Sequence, residues 1–164
     1  MKIRLPHAPY IANKIAIDLL NSGYATFKNG VEPIKEASQE VIEEDLKKEL
    51  ALEQRVEELL EENEDEMEFN QIDRRSMFWM IKKKIAKDYD VILSYEDRYN
   101  NVAHEVLDKL WQDDLMDYSV EENKIKNVIL VSLEEYIDSF EDIEDNVIDK
   151  IKGMKRDLFP GSDE

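Results

Sequence analysis

Two ten-residue stretches, IANKIAIDLL at residues 11–20 and VAHEVLDKLW at residues 102–111, decide the fold. In both stretches apolar residues recur at positions i, i+4 and i+8, which is the spacing of one face of an α-helix. The stripe consists of Ile11, Ile15 and Leu19 in the first stretch and of Val102, Val106 and Leu110 in the second. Because the two stretches lie 91 residues apart, the sequence predicts a repeated helical unit.

The same displacement continues without a gap into the helical pattern that follows each stretch. Residues 34–56 align with residues 125–147, and apolar residues coincide at the matched positions. One register kept over about 50 residues is difficult to obtain by chance. We therefore predict an all-α fold of about seven helices, in two repeated antiparallel three-helix units at residues 1–90 and 91–164. A basic helix containing Met and Trp, at residues 71–87, connects the units.

The helix boundaries follow from breakers and caps. A break near residues 48–51 and another between residues 139 and 143 would divide each long pattern into two helices. The connectors that follow the first helix of each unit are expected to be loops. The acidic run Glu61 to Glu68 is expected to be a solvated helix end and loop, and Asn70 is expected to cap the basic helix, with Asp73 assisting.

Composition excludes several classes of function. There is no cysteine, so disulfides, thiolate catalysis and cysteine-based metal sites are excluded, and a reducing cytoplasm is expected. A formal charge of −18 repels nucleic-acid phosphates and anionic lipids, so neither duplex DNA nor a membrane surface is an expected partner. No leader sequence is recognisable, and no apolar stretch has the length of a membrane span.

The basic helix is the strongest local exception to this acidic composition. Six basic residues and no acidic residue occur between Arg74 and Lys87. Phe78, Ile81 and Ile85 share one helical face, which we expect to be core. The basic residues either dock the helix onto the acidic helices of the chain or, with the Trp79 ring, form a surface for a partner. The candidate partner-binding residues are Arg74, Arg75, Trp79, Lys82, Lys83, Lys84 and Lys87.

The stretch DRRSMFWMIKKKIA, at residues 73–86, resembles the C-terminal signature of the uncharacterised bacterial family DUF507, which closes with an Arg-x-Met-Phe-x-Met-Ile-Lys-Lys-Lys helix. The resemblance covers residues 1–90, including an Ile-rich first helix and a Glu-rich middle. The second half lacks this terminal helix, having only Lys152, Lys155 and Arg156 after Ile151, and would be a degenerate copy. The resemblance implies a helical fold and a bacterial cytoplasmic origin, and it carries over no catalytic residues.

Motifs for enzymatic chemistry are weak or missing. His7 and His104 occur in no metal-binding spacing, and the acidic runs lack the glycine that a calcium loop requires. No cofactor, metal or catalytic residue is therefore predicted, although an unrecognised carboxylate site would make the chain an enzyme. Trp111 and Tyr118, in the connector of the second unit, form a secondary candidate surface because Trp and Tyr are enriched in binding hot spots.

These observations predict a binding protein. The expected function is that of a non-enzymatic adaptor in the bacterial cytoplasm, with a protein partner at the basic helix. The alternative is a factor that binds RNA or the ribosome through the same residues.

Overall fold

The computed structural model describes residues 3–158, with side chains except those of residues 141–149 and 153–158. Helices make up most of this part of the chain, which confirms the all-α class. The α-helices are α1 (Ala8–Asn21), α2 (Val31–Glu62), α3 (Glu64–Phe69), α4 (Arg74–Ile85), α5 (Tyr95–Gln112) and α6 (Glu122–Leu158). Short 3-10 segments occupy Leu5–His7 and Ala86–Tyr89, and two strands, β1 (Ala25–Phe27) and β2 (Met116–Tyr118), follow α1 and α5.

The two long helices run through the positions where breaks were expected. Helix α2 is continuous over 32 residues, and α6 is continuous over 37. The expected breaks, near residues 48–51 and 139–143, contain neither Gly nor Pro, and Lys, Glu, Leu and Ala around the first are strong helix formers. Each predicted three-helix unit is therefore one helix, one strand and one long helix.

The two connectors expected to be loops pair with each other as antiparallel strands. Thr26 lies opposite Asp117, which follows it by 91 residues. Two further backbone hydrogen bonds extend the pair, from Lys28 N to Leu115 O (3.0 Å) and from Ser119 N to Tyr24 O (3.2 Å). Strands of three residues are too short to show the alternation that identifies a strand in a sequence. The pairing joins the two halves of the chain.

The main hydrophobic core is built from α1, the first half of α2, α5 and the first half of α6. The stripes that predicted α1 and α5 are buried in it, and positions 91 residues apart are buried together. Examples are Ile11 with Val102, Leu19 with Leu110, Ile34 with Ile125, and Ile42 with Leu133. Full burial of such a side chain contributes about 1.5–3 kcal/mol, so this core is a main source of stability.

A second, smaller core lies between the second half of α2 and the hairpin formed by α3 and α4. Leu52, Val56 and Leu60 line it from α2, and Met67 enters it from α3. Within the acidic run, Glu61 and Glu62 end α2 as expected, but the helix α3 (Glu64–Phe69) occupies the place of the expected loop. Met67 of α3 is buried beneath the exposed carboxylates. This core positions α4 on the surface of α2.

Candidate partner-binding surface

The N-cap of helix α4 is Asp73, not Asn70. The Asp73 side chain accepts a hydrogen bond from Ser76 N (3.2 Å) and so acts as the N-cap. Asn70 instead closes α3, since its side-chain nitrogen donates to Glu66 O (2.9 Å). The expectation that Asn70 caps the basic helix was wrong because the short helix α3 occupies the preceding residues.

The apolar face of α4 packs onto the second core, as the sequence predicts. Phe78, Ile81 and Ile85 are partly buried there, and Met77 packs beside them. These positions follow the helical period, so one side of α4 is held against α2 and the opposite side faces solvent.

Two of the seven candidate residues hold α4 in place. Lys82 is 5% exposed, and its Nζ lies 3.0 Å from Glu53 Oε1 on α2. The same ammonium lies 5.1 Å from the centre of the Trp79 ring, within range of a cation–π contact. Arg74 Nη2 lies 2.7 Å from Glu57 Oε2. The docking interpretation therefore applies to Lys82 and Arg74.

The other candidate residues point away from α2. Among the residues that the structure describes, no acidic side chain forms an ion pair with Arg75, Lys83, Lys84 or Lys87. Trp79 is 46% exposed and Met80 is 65% exposed between these cations. Met80 and Lys83 lie along one side of α4 at i and i+3, and Lys87 is exposed in the 3-10 segment that follows. We define the α4 face as Arg75, Trp79, Met80, Lys83, Lys84 and Lys87.

The tip of the α3–α4 hairpin carries a further feature, which the sequence interpretation missed. Phe69, the last residue of α3, is 87% exposed, and Ile72 is partly exposed in the turn before α4. The two side chains form a small exposed apolar patch at the tip of the hairpin. The sequence signal was an isolated Phe directly after an acidic run, which by itself does not reveal exposure.

The secondary candidates, Trp111 and Tyr118, contact each other at the other end of the main core. Their ring centres are 5.4 Å apart, and the Trp111 ring is largely exposed. Burial raises the pKa of Tyr118, and the charges of Glu122 and Asp108 add to this increase. The pair forms a small aromatic patch beside the β1–β2 pairing.

A buried ionic cluster joins α5 to α2, and the sequence interpretation did not find it. Arg98 is 4% exposed; its Nε lies 2.8 Å from Asp45 Oδ2, and its Nη1 donates to Glu49. Burial alone would lower the pKa of Arg98, but the charges of Asp45 and Glu49 outweigh it and raise the pKa above its ordinary value. Arg98 lies four residues before Val102, in phase with the apolar stripe, which is the signal that was available.

The equivalent contact between the start of α1 and α6 is aromatic. His7, Tyr136 and Phe140 lie 91 residues from Arg98, Asp45 and Glu49 respectively. The His7 ring is 4.4 Å from the Phe140 ring and 6.3 Å from the Tyr136 ring, measured between centres. The same three positions therefore hold both interfaces between the halves, with charges in one and aromatic rings in the other.

An open cleft of about 780 Å³ lies between α1 and α6. Ser132 Oγ lies 2.7 Å from Asp18 Oδ2 there, and Lys14 Nζ lies 3.0 Å from Asp18 and 2.9 Å from Glu135. Burial lowers the pKa of Lys14, but its hydrogen bonds to Glu135 and Asp18 outweigh this and raise the pKa overall. Asp18 is thus engaged with a cation, and no histidine lines the cleft, so the arrangement does not activate Ser132 as a nucleophile.

The described residues contain neither a cluster of metal-binding side chains nor a membrane-spanning helix. Within the described range, no three His, Asp or Glu side chains are grouped closely enough to hold a metal ion. His104 instead lies 3.3 Å from Asp108 on the surface of α5. None of the described helices combines the length and apolar character needed to cross a membrane.

Comparison with known proteins identifies a family. No curated protein matches the chain. The family described as protein of unknown function (DUF507) matches residues 1–164, so the match is not limited to residues 1–90. The match therefore includes both the basic signature on α4 and the second half of the chain. The chain belongs to the DUF507 family.

Proposed function

We propose that this protein is a non-enzymatic adaptor of the bacterial cytoplasm, which binds an acidic protein partner through the α4 face. One observation carries the proposal. In a chain with a formal charge of −18, three cations on α4 and a fourth, Lys87, in the 3-10 segment that follows have no acidic partner among the described residues, and they surround the exposed Trp79 and Met80. Cations left unneutralised in such a chain favour an external acidic partner.

The way α4 is held supports this role. Lys82 and Arg74 bind Glu53 and Glu57, and the apolar face is packed in the second core, so the helix is preorganised before a partner arrives. A rigid helix loses little conformational entropy on binding. Trp79 and Met80 add apolar area at the centre of the face, where binding hot spots usually lie.

The alternative is a factor that binds RNA or the ribosome with the same residues. The exposed Trp79 ring beside Lys83 and Lys84 favours it, since bases stack on aromatic rings near basic side chains. Two observations favour a protein partner instead. Lys82 lies over the Trp79 ring, which restricts stacking there, and the charge of −18 repels a phosphate backbone.

The experiment is recovery of the tagged protein from its native lysate, with and without nuclease treatment. The test variant carries Lys83→Glu and Lys84→Glu, which leaves the Lys82 and Arg74 contacts in place. The matched control carries Lys47→Glu and Lys124→Glu, two exposed lysines outside α4 that give the same change in net charge. Circular dichroism establishes that both variants are folded.

A protein that survives nuclease, disappears with the test variant and persists with the control supports the proposal. Loss of the partner on nuclease treatment supports the RNA alternative. Equal recovery by the wild type and the test variant means that the α4 face does not bind a partner, and the proposal is then wrong.

We further propose that residues 91–164 arose as a degenerate copy of residues 1–90. The coincident burial of positions 91 residues apart supports this, as does the pairing of β1 with β2 about Thr26 and Asp117. Among the residues of the second half that the structure describes, none forms a counterpart of the α3–α4 hairpin, which carries the α4 face. We assign binding to this hairpin.

A further inference from the structure

We propose that the acidic partner of the α4 face is a second copy of this chain, bound through the acidic tip of its own α3–α4 hairpin. The inference rests on the α4 face being the contact surface proposed above. It adds the identity of the partner and the symmetry of the contact.

The hairpin carries both halves of a complementary pair. Exposed carboxylates cover the end of α2 and the surface of α3, and they belong to Glu61, Glu62, Glu64, Asp65, Glu66 and Glu68. Among the described residues, the cation that reaches this group is Arg55, which lies 3.8 Å from Glu62. The α4 face begins six residues after Phe69. Opposite charges thus lie on consecutive helices, and no described ion pair joins α3 to α4 within one chain.

A two-fold axis through the hairpin tip would bring the acidic surface of each chain against the basic α4 face of the other. In a two-fold contact, each α3 meets the α4 face of the other copy, so both pairings form at once. Phe69 and Ile72, exposed in the tip, then lie near the centre of the contact, with the charges on either side. An apolar centre with a charged rim is the usual composition of a protein interface.

Phe69 is the apolar anchor of this contact. It is 87% exposed, and burying a phenyl ring against the partner removes most of that area from water. Phe69→Ser should leave the fold intact, because the ring makes little contact within its own chain. We expect the variant to weaken dimerisation by at least about tenfold. The matched control is Tyr10→Ser, which removes an exposed aromatic ring from α1, outside the hairpin.

The charges allow a second, independent test. One variant carries Lys83→Glu and Lys84→Glu, and the other carries Glu64→Lys and Asp65→Lys. Each leaves like charges facing each other across the axis, so each should be monomeric. Equal mixtures should form a heterodimer, since both contacts become complementary again. A chain with all four changes should again form a homodimer, and its net charge equals that of the wild type.

The measurement is sedimentation equilibrium of the full chain at low salt, at about 1 to 100 micromolar protein, a range that spans micromolar dissociation constants. The wild type and Tyr10→Ser should be dimeric at the upper end, and Phe69→Ser monomeric. Net charge alone would make Glu64→Lys with Asp65→Lys associate more strongly, because it is less negative, whereas the proposed contact predicts dissociation.

Two results would overturn the inference: a wild-type chain that stays monomeric throughout, or a dimer indifferent to Phe69→Ser and to both charge variants. Failure here is distinguishable from failure of the proposed function. If the wild type is monomeric while Lys83→Glu with Lys84→Glu still loses a lysate protein, the adaptor proposal stands and its partner is a different acidic protein.

Discussion

Replacing Arg98 with Met removes the cation from the buried cluster between α5 and α2. Arg98 is 4% exposed, and the Glu49 side chain is equally well shielded from water. The Asp45 side chain is 19% exposed, so it can regain some hydration. Loss of the Arg98 cation therefore affects the more deeply buried contact with Glu49 more than the contact with Asp45. Breaking a buried ion pair from one side destabilises a protein by about 3–5 kcal/mol, and we expect a loss in this range.

The assay is urea unfolding followed by far-ultraviolet circular dichroism, with the slope of the transition compared between variants. The matched control is His7→Ala, at the position equivalent to Arg98. An aromatic contact such as that of His7 with Phe140 contributes about 0.5–1.5 kcal/mol, so this control should lose much less stability.

Coupling between the charges provides the stricter test. Arg98→Met combined with Glu49→Leu should be less destabilised than the sum of the single variants by at least about 1 kcal/mol, because each single change already removes the same ion pair between Arg98 and Glu49. A loss below about 1 kcal/mol for Arg98→Met, or additive effects in the pair, would refute the reasoning.

Three further predictions concern the turn at Gly23, the cap of α4 at Asp73, and the ion pair between Lys48 and Asp90. Gly23→Ala should lower the free energy of unfolding by about 1 kcal/mol, because Gly23 has φ +75°, although no atom obstructs a Cβ. Gly23→Asp should lower it less, since the equivalent residue Asp114 adopts φ +55°. Equal losses for the two variants would contradict this. Asp73→Ala should lower the free energy of unfolding by about 1 kcal/mol by removing the cap of α4, and no change would show that the cap is dispensable.

The hydrogen bond from Lys48 and the charge of Lys48 lower the pKa of Asp90 below its ordinary value near 3.8. The ion pair therefore stabilises the fold above about pH 3.8, and this stabilisation is lost as the pH falls through the lowered pKa of Asp90 in the folded state. Lys48→Met should return the pKa to ordinary, as measured by carboxyl NMR titration, and a value unchanged from the wild type would exclude the pair in solution.

The sequence predicted which residues make up the candidate surface, but not which of its cations dock α4 onto α2 and which reach solvent. The absence of acidic residues between Arg74 and Lys87 is visible in the sequence, and so is the apolar period of Phe78, Ile81 and Ile85. Which cations dock the helix depends on Glu53 and Glu57, which lie 29 and 17 residues before their partners. Only packing against α2 selects Lys82 and Arg74 for that role.

Phe69 and Arg98 both show that the sequence does not predict whether a given side chain is buried. A Phe after an acidic run is as compatible with burial as with exposure, and an Arg in phase with an apolar stripe is as compatible with the helix surface as with the core. The exposed ring and the buried guanidinium are each set by neighbours far away in the chain, because burial is a property of the packed molecule.

The sequence by itself determined the helical class, the register of 91 residues and the basic character of α4, because the spacing of apolar and charged residues along a helix is local. The tertiary structure alone decided the pairing of β1 with β2, the continuity of α2 across two cores, and which residues of α4 reach solvent. These depend on contacts between segments tens of residues apart, whose energies do not appear in any local pattern.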